Sequence, residues 1–307
     1  MLTNLETRLR HKAINGWPVF LLFSIPISVA VLIKMLATDL SVGEGISSMI
    51  GYSVRFAIPF IFLAIGASSA YTLFPNLFTA WLARNRRYIG LCFAIAMFWQ
   101  AVFIFTMTTF FRDFYFADVY YFRDELEGSV GYVFLTGMVI TSFAFTRKKL
   151  SSQQWKYIQK GGVYFLWAYA FSVYWWNLYY YPNPETIDSI FYWMGFTAFS
   201  LRIAAWGKKR NRQNNKNSTP IALKAIGTAV VGFGLVASAT GLLWQKSVTE
   251  FMTSAAWSAE LELWLPFWPL EPFLPLLIIA LGTWFYTHAR RQKISLSPGR
   301  PEYDCDA

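Results

Sequence analysis

The side chains that most often carry protein chemistry are scarce in this chain. Its 307 residues include two histidines, His11 and His288, and two cysteines, Cys92 and Cys305. Both histidines lie outside the apolar stretches, so these stretches offer no serine–histidine–aspartate set, cysteine–histidine pair or histidine zinc site. One cysteine lies in an apolar run and the other among the last three residues, which supports neither a disulfide framework nor a cysteine metal site. The sequence predicts no metal site and favours a protein without catalytic activity of its own.

The remaining candidates are polar side chains inside apolar runs. Arg55 lies near the middle of the second such run, where a charged side chain costs at least about 2.5 kcal/mol on insertion scales. We therefore expect it to face the bundle interior or a water-filled cavity. Two roles are open: a structural arginine paired with helix carbonyls or an aromatic face, or a contact for an anionic ligand.

The composition indicates which elements must position these side chains. The chain is 55% hydrophobic and 14% charged, whereas a soluble domain is about a quarter charged. So much apolar surface predicts an all-α integral membrane protein, in which each span takes roughly 20 residues. Eight apolar runs are long enough, or nearly so, at about 17–37, 47–73, 88–110, 129–146, 161–181, 187–206, 220–243 and 269–289.

Basic residues mark alternate ends of these runs. The N-terminus and the segments after the second, fourth, sixth and eighth runs carry most of the 27 lysines and arginines. The opposite ends carry only Lys34, Arg112, Arg123 and Lys246. The positive-inside rule then predicts that both termini are cytoplasmic, and we expect a bacterial inner membrane. Because topology accounts for the net charge of +10, nucleic acid is not expected as a partner.

The same pattern divides the chain into five parts. The polar stretch GKKRNRQNNKNSTP separates the first six runs from the last two and is interpreted as a cytoplasmic linker. We expect the first run to be an uncleaved span, since no small-residue cleavage site follows it. The predicted order is a cytoplasmic N-terminus at 1–16, a six-helix bundle at 17–207, the linker at 208–219, a transmembrane hairpin at 220–289 and a cytoplasmic tail at 290–307.

Three stretches carry a resemblance to a known family. They are YSVRFAIPFIFLAIGASS in the second run, RNRRYIGLCFAIAMFWQ leading into the third, and TGMVITSFAFTRKKLSSQQWKYIQKGGVYFLW from the fourth to the fifth. Over about 47–206 the chain resembles the ferric reductase-like transmembrane domain superfamily. It is most similar there to the bacterial haem-binding membrane subunit of the periplasmic methionine sulfoxide reductase system. The resemblance implies a six-helix bundle in which histidines of the third and fifth helices bind b-type haem.

The positions that the resemblance assigns to haem ligands carry no histidine here. The third-helix position falls on Gln100, two fifth-helix positions fall on Gln159 and Ser172, and a further third-helix position falls on Arg86. Amide and hydroxyl oxygens are weak ligands of haem iron, and arginine stays protonated. No cofactor is therefore predicted, with quinone or haem b as the alternative. We expect Gln100 and Ser172 to lie at one depth and hydrogen-bond each other, either joining helices or lining, with Arg55, a vacated cavity for a lipid, quinone or pigment.

An aromatic stripe near the C-terminus is a candidate docking surface. Trp257, Leu261, Trp264 and Trp268 recur at steps of four, three and four residues, which places them on one helical face. Such a face could lie along the outer surface of the predicted inner membrane or bind a partner protein. Because the family's six-helix core does not need the hairpin at 220–289, we expect that core to fold without it. The hairpin would then bind other membrane or periplasmic subunits.

These observations favour a haem-free, ferric reductase-like membrane protein that acts as a scaffold or partner-binding subunit of a membrane complex. The alternative is an electron-transfer subunit that uses quinone or unusually ligated haem b with a separate redox partner. A second alternative is a small-solute or lipid transporter. The chain has no dinucleotide-binding glycine motif, so we do not expect it to accept hydride by itself.

Overall fold

The computed structural model describes residue 9, residues 11–213 and 219–256, residues 258 and 261, and residues 265–288. Over these residues the chain is all-α, without a β-strand. The longer helices are α1 (Trp17–Leu36), α2 (Gly43–Leu73), α3 (Leu77–Phe110), α4 (Phe122–Ile140), α5 (Ser152–Tyr179), α6 (Thr186–Gln213), α7 (Ile221–Ala239), α8 (Gly241–Met252) and α9 (Leu274–Tyr286). Short helical turns lie at Lys12–Ile14, Arg112–Phe114, Tyr115–Val119, Ala144–Arg147 and Glu271–Phe273.

Within the described residues, four helices, α1, α2, α3 and α7, are long and apolar enough to cross a membrane. A shorter apolar helical segment runs over Glu271–Tyr286. The helices also expose large apolar side chains, among them Leu36, Phe105 and Val236. Extended exposed apolar surface of this kind marks contact with lipid or another protein. The fold is therefore that of an integral membrane protein built from α-helices.

Side-chain caps set the starts of the two helices that carry the predicted ligand positions. At the start of α3, Thr79 N donates to Asn76 Oδ1 at 2.9 Å, and Asn76 N donates to Thr79 Oγ1 at 3.1 Å. Ser151 and Gln154 exchange the same pair of bonds at the start of α5. Because these bonds satisfy N–H groups that a first helical turn leaves without partners, both helices begin about ten residues before their apolar runs.

The main core lies between α2, α5 and α6. Phe62, Trp167, Phe171 and Tyr192 are nearly or fully buried and belong to one cluster. The Phe171 ring stacks on Trp167 with centroids 5.1 Å apart and on Tyr192 with centroids 5.4 Å apart. A Cβ atom added at Gly195 would lie 2.8 Å from the Phe62 ring, so a glycine is needed for this close approach.

The hairpin formed by α7, α8 and α9 shares this core with helices α1 to α6. Leu276 and Ile279 of α9 belong to the same cluster as Trp167. Tyr192 of α6 donates a hydrogen bond from its hydroxyl to the Ser238 carbonyl of α7 at 2.8 Å. The hairpin is part of the bundle because its apolar faces complete the core that α5 and α6 begin.

The contact between α7 and α9 depends on two glycines. A Cβ added at Gly227 would lie 2.7 Å from the Gly282 carbonyl oxygen, and one added at Gly282 would lie 2.8 Å from the Gly227 carbonyl oxygen. Small residues let membrane helices approach to this distance. The two helices are therefore held backbone to backbone.

The predicted linker is shorter than expected. α6 continues through Gln213, so the first half of 208–219 is helical, and Lys208 Nζ donates to the Thr72 carbonyl at 2.8 Å. The remainder of that segment up to 218, most of the N-terminal segment and the tail from 289 onward lie outside the described residues.

The two ends of the bundle differ in charge. One end of the bundle contains the α2–α3, α4–α5 and α6–α7 connections and is here called the basic end. It carries Arg84, Arg86, Arg87, Arg147, Lys148, Lys149, Lys208, Lys209, Arg210 and Arg212. The opposite ends, here called the acidic end, carry Asp39, Glu44, Asp113, Asp118, Asp124, Glu125, Glu127, Glu185, Asp188, Glu250 and Glu271.

Candidate functional site

Gln100 and Ser172 do not bond to each other, which corrects the expected pairing. Tyr132 of α4 donates from its hydroxyl to Gln100 Oε1 at 2.9 Å. The Ser172 hydroxyl donates to the Tyr169 carbonyl of its own helix at 2.9 Å. The expectation was wrong because Tyr132 reaches Gln100 from a third helix, while Ser172 is satisfied one turn away within α5.

Arg86 and Gln159 line one cavity of about 440 Å³ at the basic end, between α2, α3, α4 and α5. Arg86 is half-buried, and its Nη1 donates to Ser68 Oγ at 2.9 Å. Gln159 Nε2 donates to the Met138 carbonyl and to Thr141 Oγ1, both at 3.0 Å. The structure therefore brings together two of the four predicted ligand positions.

Three further arginines line the same cavity. Arg84 donates to the Leu9 carbonyl at 3.1 Å, and the Arg147 guanidinium lies 4.7 Å from the Trp155 ring centroid. The guanidinium of Arg87 lies 5.5 Å from the ring of its neighbour Tyr88. The name basic cavity is used below for the space lined by Ser68, Arg84, Arg86, Arg87, Arg147, Trp155 and Gln159.

A fifth arginine lies beyond the basic cavity, in a separate cleft. Arg202 of α6 donates to the Ile65 carbonyl at 3.0 Å and to the Tyr164 hydroxyl at 2.6 Å. It lines a cleft of about 880 Å³ and acts on Arg86 as a like charge. The basic end thus holds two partly buried arginines, Arg86 and Arg202, each fixed to α2 by one hydrogen bond.

Sequence reasoning missed a buried acid at the other end. Glu271 is fully buried, and its Oε1 accepts from Trp175 Nε1 at 3.0 Å and from the Tyr180 hydroxyl at 2.6 Å. Its other carboxyl oxygen has no hydrogen-bond partner among the described residues. The sequence feature that could have revealed it is a single acid between prolines in the apolar stretch WPLEPFLP. Glu271 ties the C-terminal hairpin to α5.

Next to this carboxyl lies a cavity of about 650 Å³, lined by Tyr180, Ser172, Asp124 and Glu127. Glu127 Oε1 accepts the backbone N–H of Phe267 at 2.8 Å. The cavity is thus bounded by a loop whose position depends on hydrogen bonds to α4. Ser172 lines this cavity, whereas Gln100 does not.

Arg55 is not inside the bundle core but lines an open cavity of about 340 Å³, together with Lys34 and Tyr52. Its guanidinium pairs with Glu185 at 3.0 Å, and the two side chains are 50% and 58% exposed. Glu185 immediately precedes α6, so Arg55 is level with the end of that helix.

The predicted aromatic stripe is not exposed along its whole length. Trp268 is 6% exposed, and its carbonyl accepts a hydrogen bond from Arg123. A side chain buried within its own chain cannot serve as a docking anchor, so this part of the expectation is corrected. Leu261 is half-buried, while Trp257 and Trp264 lie outside the described residues.

Comparison with family models, curated proteins and solved structures gives no match for this chain. The resemblance stated above therefore rests on its sequence motifs. Within the described residues no group of three or more histidine, cysteine, aspartate or glutamate side chains is arranged to hold a metal ion. What the geometry offers chemically is hydrogen-bond donation and positive charge at the basic cavity.

Proposed function

We propose that this chain is a haem-free membrane protein of the ferric reductase-like kind that acts as a scaffold or partner-binding subunit of a membrane complex. In this proposal the chain crosses a bacterial inner membrane eight times. Both termini and the basic end face the cytoplasm, in keeping with the positive-inside rule.

One observation carries the proposal: side chains at the haem-ligand positions are engaged with the protein itself. Gln100 accepts from Tyr132, and Gln159 donates to the Met138 carbonyl and Thr141. A haem ligand must direct a free lone pair at the iron, as neutral imidazole does. These glutamines instead join α3 to α4 and α4 to α5, which supports a structural role for the positions that the resemblance assigns to haem ligands.

An absorption spectrum of the detergent-purified chain tests the absence of haem. We expect no Soret band and no reduced b-type peaks after dithionite. A stoichiometric haem spectrum would overturn the proposal. A bound quinone that dithionite reduces would favour the electron-transfer alternative instead.

Histidine substitutions test the placement of the ligand positions. The double variant Arg86→His, Gln159→His has both changes in one cavity, so we expect it to take up some haem. The matched variant Gln100→His, Ser172→His should take up little, because its two positions do not share a cavity. Equal uptake, or none in either variant, would count against the assigned positions.

Affinity purification of a tagged chain from native membranes in mild detergent tests the scaffold role. We expect a second membrane or periplasmic protein to co-purify in constant ratio through a subsequent size-exclusion step. A chain that elutes alone after chemical cross-linking of intact cells would argue against a subunit role.

A further inference from the structure

The basic cavity contains an arginine whose position a membrane anchor does not need. Arg84 and Arg87 are exposed, as anchoring residues at a membrane surface are. Arg86 lies between them in sequence but is half-buried, and its bond to Ser68 Oγ turns its guanidinium toward α2. Placing this charge inside the bundle requires compensation that a surface arginine does not.

The described part of the chain supplies no opposite charge at this place. No carboxylate lines the cavity, and the acidic residues of the described segments lie at the other end of the bundle. Arg202, whose charge also acts on Arg86, is positive as well. Four guanidinium groups therefore surround one space, and their charge calls for an anion.

The lining indicates what kind of anion fits. Arg147, Trp155 and Gln159 line the cavity together with the hydroxyl residues Thr141 and Ser142, and most of the remaining wall is apolar, including Leu91 and Leu135. Guanidinium groups bind phosphate oxygens in pairs, and a phosphate offers enough acceptors for several arginines at once. Basic pockets between membrane helices on the cytoplasmic side are also where anionic lipid head groups bind. A volume of about 440 Å³ accommodates a phosphate with part of the molecule that carries it.

We propose that the basic cavity is a phosphate-binding site in which Arg86 and Arg147 are the main contacts. The phosphate belongs either to an anionic phospholipid of the adjacent leaflet or to a free phosphorylated compound. This site goes beyond the scaffold function, which assigns the cavity no ligand. Because haem in the same cavity would exclude a phosphate, the spectrum described above is recorded on the same samples and keeps the two proposals separate.

The test uses the full chain in nanodiscs and follows thermal unfolding by tryptophan fluorescence. One arm compares neutral phosphatidylcholine with a mixture containing phosphatidylglycerol. The other arm adds inorganic phosphate to neutral nanodiscs, with sodium chloride at the same ionic strength as reference. A ligand that binds the folded state raises the unfolding midpoint in a saturable way. A rise with phosphatidylglycerol alone identifies the lipid as the source, and a rise with inorganic phosphate identifies a free phosphate.

Arg86→Gln and Arg147→Gln should each weaken the response about tenfold in apparent affinity, as loss of one charged hydrogen-bonding contact does. Lys156→Gln is the matched control, because Lys156 is exposed at the same end of α5 and does not line the cavity. Arg147 is itself exposed, so its variant carries the test should Arg86→Gln fail to fold. Equal responses in the arginine variants and the lysine control, or no response of the unmodified chain in either arm, would overturn the proposal.

Discussion

Charged side chains at the two ends of the bundle have different kinds of partners. At the acidic end Arg55 meets Glu185 at 3.0 Å, and buried Glu271 accepts two hydrogen bonds from α5 and the residue that follows it. At the basic end Arg86 is held by the neutral hydroxyl of Ser68. Each acidic-end group is bound by a side chain from a distant part of the chain, which serves the fold. Arg86 instead shares its cavity with three other arginines and no carboxylate, so it remains able to attract an anion. Substitutions at the acidic end should therefore affect stability, and those at the basic end should affect binding.

The largest effect is expected from Glu271→Ala. The change leaves Trp175 Nε1 without its acceptor and removes one of two partners of the Tyr180 hydroxyl, which also bonds Thr249 at 2.8 Å. We expect a loss of about 3 kcal/mol in unfolding free energy. Tryptophan fluorescence during denaturant unfolding measures it. Glu271→Gln keeps an acceptor oxygen and should cost less. Glu250→Ala, at an exposed position, is the control, and equal stability of the two alanine variants would show that the acidic end is not tied together at Glu271.

A smaller effect on stability is expected from Arg86→Gln. The substitution removes one hydrogen bond to Ser68, so the unfolding free energy should fall by about 1 kcal/mol. The same denaturant unfolding, with Ser68→Ala as a parallel variant, checks this value. A loss as large as that of Glu271→Ala would mean that Arg86 serves the fold, and the contrast between the two ends would then disappear.

The ion pair between Arg55 and Glu185 should contribute less again. Both side chains are at least half exposed, and exposed pairs are worth about 0.5 kcal/mol. A double-mutant cycle with Arg55→Ala and Glu185→Ala measures the coupling, which should shrink in 1 M salt as screening increases. Coupling of several kcal/mol that persists in salt would place the pair in a buried setting.

The smallest effect is a pH dependence at the acidic end. In the α1–α2 connection, Asp39 accepts from the Ser41 hydroxyl at 2.6 Å and from the Ser41 N–H at 2.9 Å. These bonds hold the pKa of the Asp39 carboxyl below its ordinary value of 3.8. A depressed pKa stabilises the fold above that ordinary value, and the gain is lost as the pH falls through the folded-state value.

We therefore expect Asp39→Asn to flatten the pH dependence of the unfolding midpoint in acid. Thermal unfolding between neutral and acidic pH measures it. Asp113→Asn, at another exposed position of the same end, is the control. A steeper decline in Asp39→Asn than in the unmodified chain would contradict the expected sign.

Helix positions were predictable from the sequence because the hydropathy of a segment depends only on residues adjacent in sequence. Each predicted apolar run contains a helix, and α1 begins at the predicted residue 17. The starts of α3 and α5 were misplaced because they depend on caps, Asn76 with Thr79 and Ser151 with Gln154, that lie in polar sequence.

The partners of polar side chains were not predictable in the same way. Arg86 and Gln159 share a cavity, but Gln100, which was expected to bond to Ser172, bonds to Tyr132 on a helix that no ligand motif marks. Glu271 bonds to Trp175 across 96 residues of sequence. Such contacts depend on which helices become neighbours and how they rotate, and neither property is contained in the hydropathy of one segment.

The hydrogen bond between Trp175 and Glu271 can form only after a delay during synthesis of the protein. The two residues are 96 positions apart, and ribosomes add roughly 5–20 residues per second. The indole of Trp175 must therefore wait about 5–20 s for its acceptor after it has left the peptidyl transferase centre. During that time the part of the α5 and α6 surface that later receives α9 has no partner from its own chain.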